Sequence, residues 1–116
     1  MWIAGIRFDI VFAVNYLTGF GQQPRVHHMR VVEWVIGYLY NTMDIGLTLG
    51  GERLKLEVYT DSSYGTGRNG RSVSGAIVKL NPEFGAVVVK SVTSQYVRLS
   101  SFESELEALN VAIKIV

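Results

Sequence analysis

The hydrophobic period of this chain changes once, near Gly50-Gly51, and that change limits what the chain can fold into. Upstream of it, apolar residues recur at helical spacing. Downstream they alternate in short runs broken by Gly, Asn and Pro, and then return to helical spacing for one last segment. The pattern predicts an α/β chain, with a helical part over 1–50 followed by a strand-rich part over 51–116.

In the first part, Asp9 is a candidate N-cap for a helix from about Ile10 to Leu17, closed by Gly19 and Gly21 with Pro24 beyond. A second helix is predicted from Val26 to Tyr40, where Val26, Met29, Val32, Val35, Ile36 and Leu39 form an apolar stripe that Trp34 and Tyr38 widen. Gly46 marks the way out. The opening MWIAGIRFDIVFAVNYL is apolar, but Arg7 and Asp9 interrupt it and no basic region precedes it. It reads as core-packing helix rather than a signal peptide or membrane span, so an intracellular location is expected.

The second part opens with LKLEVYTD, in which Leu54, Leu56, Val58 and Thr60 face one side and Lys55, Glu57, Tyr59 and Asp61 the other. Asp61 therefore ends a strand on its more polar face. Two Gly- and Asn-bearing loops, SSYGTGRNG and NPEFG, lead into RSVSGAIVKL and AVVVKSVTSQ. Residues 71–80 and 86–95 are thus expected as two further strands of a meander. Ser100 with Glu103 forms a capping-box signature, and Phe102, Leu106, Leu109, Ile113 and Val116 continue as a helical stripe to the last residue. That helix is expected to be cut off rather than finished.

Composition narrows the class further. A chain of 116 residues holds one small domain or a piece of a larger one. Its 48% hydrophobic and 18% charged content is apolar for a free-standing domain, which predicts surface that a partner covers. The net charge of +1 argues neither for nor against nucleic acid, and the absence of cysteine excludes disulfides and thiolate metal sites.

Two motifs are decoys. Gly65, Gly67 and Gly70 spell G-x-G-x-x-G after a strand, but they lead into a β-branched run instead of the helix whose N-terminus would hold a pyrophosphate. AIVK superficially matches a kinase lysine motif, yet Ser72 stands where a Val is required and no H-R-D or D-F-G follows. The loop is a flexible hairpin connection, on which Arg68 and Arg71 could touch phosphates. His27 and His28 are adjacent on a helix and point about 100° apart, so packing or capping suits them better than metal binding.

Asp61 and Glu105 remain. Three antiparallel strands followed by a helix, with an acid ending the first strand and another early in the helix, bring two carboxylates to one end of a sheet. Oxygen ligands of that kind suit Mg²⁺ or Mn²⁺.

At these residues a resemblance becomes specific. YTDSSYG, RSVSGAIVKL, TSQYVRLSS and ESELEAL are similar to consecutive blocks of the ribonuclease H region of copia-type retroelement polyproteins. RFDIVFAVNYLTGF, then Pro24 and His28 in P-x-x-x-H, then YLYNTMDIGL, resemble the segment that links that family's reverse transcriptase to its ribonuclease H region. The resemblance implies a helical connector over 1–50 and the N-terminal half of a ribonuclease H-like domain over 51–116. It implies that Asp61 and Glu105 are catalytic metal ligands, and that Glu103 is a recurrent neighbour. In the mechanism the resemblance implies, Asp61 would bridge two divalent ions about 4 Å apart and Glu105 would hold one, for cleavage of the RNA strand of an RNA–DNA hybrid. The implied partners are that hybrid, contacted by Arg68, Arg71 and Ser62, and the remaining polyprotein segments, with no membrane and no small-molecule cofactor. By the same resemblance the hybrid would be read by shape and 2′-hydroxyls.

Departures from the family pattern are definite. Ser63 stands where a second acid is usual and Phe8 where a proline is, and the stretch from Gln95 to Leu99 is one residue short. The later catalytic carboxylates and the polymerase aspartates fall outside this sequence, so the chain alone is expected to be inactive. The alternative reading is a remnant that binds nucleic acid or protein without catalysis.

Overall fold

The computed structural model describes residues 5–52 and 54–116, so the first four residues of the apolar opening stretch lie outside the described residues. The chain forms two compact units, Met1–Leu47 and Thr48–Val116.

The first unit holds a 3-10 turn at Phe8–Ile10, helix α1 (Val11–Thr18) and helix α2 (Val26–Asn41). Asp9 does not cap α1: Ile10 occupies the cap position and no side chain bonds there. The carboxylate is claimed by side chains instead, one near in sequence and one far. Arg7 grips both Asp9 oxygens, at 3.1 Å through Nε and 2.7 Å through Nη2, while the Tyr38 hydroxyl donates to Oδ2 at 2.7 Å. Arg7 also reaches Thr42 Oγ1 at 2.7 Å, so one cluster ties the turn before α1 to the end of α2. His28 is buried, stacks on Phe20 at 4.0 Å and accepts the Arg25 backbone N–H at 3.0 Å through Nδ1. Packing and capping are both its work. The predicted stripe of α2 is only partly inward, because Val26, Met29, Trp34 and Ile36 are exposed while Val32, Val35 and Leu39 are half-buried.

The Asp9 cluster gives this unit an acid-sensitive contact. Hydrogen bonding from Arg7, and then from Tyr38, lowers the Asp9 pKa from 3.8 to about 2. A group with a depressed folded-state pKa adds stability above its unfolded pKa, and that contribution fades as the pH falls from 3.8 towards 2. The carboxylate is about a third exposed, so the effect is modest and weakens with salt. Acid titration of helical signal, with Asp9→Asn for comparison, is expected to show an added slope in that window only in the unaltered chain.

The second unit is a three-stranded antiparallel sheet in the order β1 (Glu57–Ser63), β2 (Val73–Lys79), β3 (Val88–Thr93), followed by helix α3 (Ser101–Ile113) packed on β1 and β2. Register places Asp61 opposite Gly75 and Ser62 opposite Ser74. The first strand starts three residues later than its alternation suggested. Lys55 N–H nevertheless bonds to Leu80 O at 2.8 Å, which extends the pairing below the strand. Gly51 sits at φ +113 against Asn81, where a Cβ would come within 2.2 Å of Nδ2, so only glycine allows the approach.

Helix α3 begins as its capping signature predicted, with Ser100 Oγ accepting the Glu103 N–H at 3.2 Å. The Glu103 carboxylate reaches back one residue further, to the Leu99 N–H at 2.9 Å. Arg98 then bridges Glu103 at 3.2 Å and Glu107 at 2.7 Å, which fastens the incoming loop to the first two turns. The helix ends at Ile113 rather than running to the last residue, and Lys114 caps it in αR geometry.

The predicted apolar stripe of α3 is not its packing face. Phe102 and Ile113 are 70% and 74% exposed, and Leu106 and Leu109 are each 49% exposed. Ser104, Ala108 and Ala112 are buried in their place, and on the sheet the buried row is Ser72, Ser74, Ala76 and Val78. Small side chains permit the helix backbone to lie close to the strands, and the large ones turn outward.

Candidate metal and nucleic-acid site

Asp61 is the fifth residue of β1, and strand alternation puts it in the row with Tyr59, away from half-buried Thr60 and Ser62. It is exposed. Its Oδ1 accepts the Ser62 backbone N–H at 2.9 Å, a local bond that fixes the carboxylate without consuming it. Gly75 opposite adds no side chain beside it.

Glu105 lies in the second turn of α3, the helix that rests on β1 and β2. Glu105 is exposed, and its carboxylate makes no hydrogen bond or ion pair among the described residues. Its neighbours on the helix differ. Glu103 and Glu107 both have pKa values below the ordinary carboxylate range, Glu103 through the Leu99 N–H and then Arg98, Glu107 through Arg98. They hold structure, which leaves Glu105 as the uncommitted acid in Glu-Ser-Glu-Leu-Glu.

The β1–β2 loop carries Arg68 and Arg71, both exposed. Gly67 lets the loop close on itself: its N–H bonds Arg71 O at 2.7 Å, and a Cβ there would meet that same oxygen at 2.7 Å. A 3-10 turn follows at Arg68–Gly70 and leads into strand β2, so no helix N-terminus stands where a pyrophosphate would need one. Ser62, the third candidate contact, is turned inward. Its hydroxyl is buried, as is that of its register partner Ser74, and neither has a protein hydrogen-bond partner.

Among the described residues no group of three or more His, Asp or Glu side chains is placed to hold a metal ion. Asp61 and Glu105 are donors of the right chemistry but too few to enclose an ion. Sequence reasoning missed the Arg98 bridge, whose only signal was an arginine five and nine residues before two glutamates. Among the described residues, no helix is long and apolar enough to cross a membrane.

No family model matches the chain, and no solved structure does. Two curated proteins are similar to it. Over 100 residues, 85% of this chain, it is 32% identical to the retrovirus-related Pol polyprotein from transposon TNT 1-94 of Nicotiana tabacum. Over 116 aligned residues, 91% of this chain, it is 28% identical to the retrovirus-related Pol polyprotein from transposon RE1 of Arabidopsis thaliana. The chain spans 7% and 8% of the length of these relatives. Similarity that extends over most of its residues, both units included, relates this chain to the copia-type, retrovirus-related Pol polyproteins of transposons.

Proposed function

We propose that this stretch runs from the end of a reverse transcriptase region into the first half of a ribonuclease H-like domain, and that in its parent polyprotein it serves the intracellular cleavage of the RNA strand of RNA–DNA hybrids. One observation carries the reading. A three-stranded meander has an exposed aspartate near the end of its first strand, and the helix resting on that strand carries an exposed, uncommitted glutamate. Mg²⁺ or Mn²⁺, when bound in the complete domain, supplies an activated water and neutralises charge on the phosphate. The part of this chain is narrower: Asp61, oriented by the Ser62 N–H, and Glu105 offer hard oxygen donors. Arg68 and Arg71 offer phosphate contacts on the adjoining loop.

A second reading, a binding module without catalysis, draws on the shortage of metal donors among the described residues. The two readings part in one experiment. A longer polyprotein segment that includes this stretch is expected to cut a labelled hybrid in Mg²⁺, while this chain by itself leaves the hybrid intact. Binding without cleavage by the longer segment supports the second reading, and Mg²⁺-dependent cleavage by the chain alone overturns the shortage of donors.

A further inference from the structure

We propose that Asn69 is a site of spontaneous deamidation, which converts the β1–β2 loop to a less basic form. The chain has five asparagines, and only Asn69 is followed by glycine. Tyr16, Thr42 and Val111 follow three of the others and crowd the backbone nitrogen that must react. Pro82 follows Asn81 and carries no N–H at all. Asn69 is also exposed, at φ 59, between Gly67 and Gly70. Gly70 stands at φ +70 with open space where a side chain would be, so no side chain or backbone crowds that position.

The reaction needs only water and a base. Base removes the Gly70 amide proton, and the nitrogen attacks Cγ of Asn69. A new C–N bond forms, the bond to the side-chain NH₂ breaks, and that nitrogen leaves as ammonia after taking up a proton. Water then opens the five-membered imide at either carbonyl. Attack at Cγ yields aspartate with the original backbone, and attack at the main-chain carbonyl yields isoaspartate, whose backbone runs through Cβ. The sum is one water consumed and one ammonia released.

To reach the attacking geometry, Asn69 must rotate away from ψ 33 and the Gly70 N–H must leave Gly67 O, which it meets at 3.2 Å. That is one long bond in an exposed turn, which water replaces readily. The product carries a carboxylate between Arg68 and Arg71, in a loop that otherwise has no acidic residue from Tyr64 to Ser72. An aspartate tolerates the left-handed backbone there, whereas isoaspartate lengthens the turn.

The test is incubation of the folded chain at neutral and mildly alkaline pH, followed by peptide mass mapping and isoaspartyl methyltransferase labelling. The amide-to-acid mass shift is expected on the peptide containing Asn69, faster at the higher pH, with the other four asparagines unchanged. Asn69→Gln is expected to abolish the signal. Gly70→Ala is expected to slow it severalfold, and the Gln variant keeps the test sound if alanine strains the turn. If Asn69 stays intact in the folded chain while urea-unfolded chain converts, the loop protects the amide and the proposal fails. Because the readout is mass, it is independent of whether the parent cuts RNA.

Discussion

Asp61→Asn is expected to abolish Mg²⁺-dependent hybrid cleavage by a longer polyprotein segment while leaving that segment folded. The side chain is exposed and its one bond is to the Ser62 N–H, which an asparagine oxygen keeps. What asparagine loses is the negative charge that a divalent ion requires. Glu105→Gln should behave alike, because Glu105 has no structural partner among the described residues to lose. Glu103→Gln is the discriminating control. It weakens the bonds to Leu99 and Arg98, so it is expected to lower stability slightly and to leave cleavage in place. Activity is read by gel on a labelled hybrid, and folding by circular dichroism. Loss of cleavage in Glu103→Gln with retention in Glu105→Gln would reverse the assignment.

Ala108→Leu is expected to destabilise the second unit by about 1–3 kcal/mol, the usual cost of forcing methylenes into a packed interior. Ala108 is fully buried on the face of α3 that meets β1 and β2, across from a sheet row of Ser74, Ala76 and Val78. Leu109→Ser, one residue on, removes an apolar side chain from the outward face and is expected to change stability by no more than about 0.5 kcal/mol. Urea unfolding at constant slope reads both. A costly Leu109→Ser beside a silent Ala108→Leu would mean that the helix is turned the other way.

Those two positions also show how far the sequence could be read. The three strands, their antiparallel order and the helix after them were legible, because Gly- and Asn-rich loops punctuate β-branched runs and Ser100 announces the last helix. The orientation of that helix was not. Hydrophobic periodicity assumes that the largest apolar side chains face inward, whereas here Ser104, Ala108 and Ala112 do so, and nothing in the spacing of Phe102, Leu106, Leu109 and Ile113 reveals it. Asp9 misled for a different reason. Its position suits a cap, but Arg7 and Tyr38 outcompete the backbone for its carboxylate, and a partner 29 residues away is invisible to local pattern. Of the candidate site residues, Asp61, Glu105, Arg68 and Arg71 lie on exposed surface, while the Ser62 hydroxyl is lodged inside because strand alternation turns neighbours to opposite faces.

The serines beneath α3 have a thermal consequence. Unfolding a hydrocarbon interior raises heat capacity steeply, whereas wetting hydroxyls and backbone lowers it. Among the described residues of this unit, Ser72, Ser74, Ser94 and Ser104 are as deeply enclosed as Ala76 and Ala108, so the two contributions oppose each other. The stability of this unit is therefore expected to follow a shallower curve against temperature than a hydrocarbon interior would give, as calorimetric unfolding would read. Warming or cooling is expected to move it little.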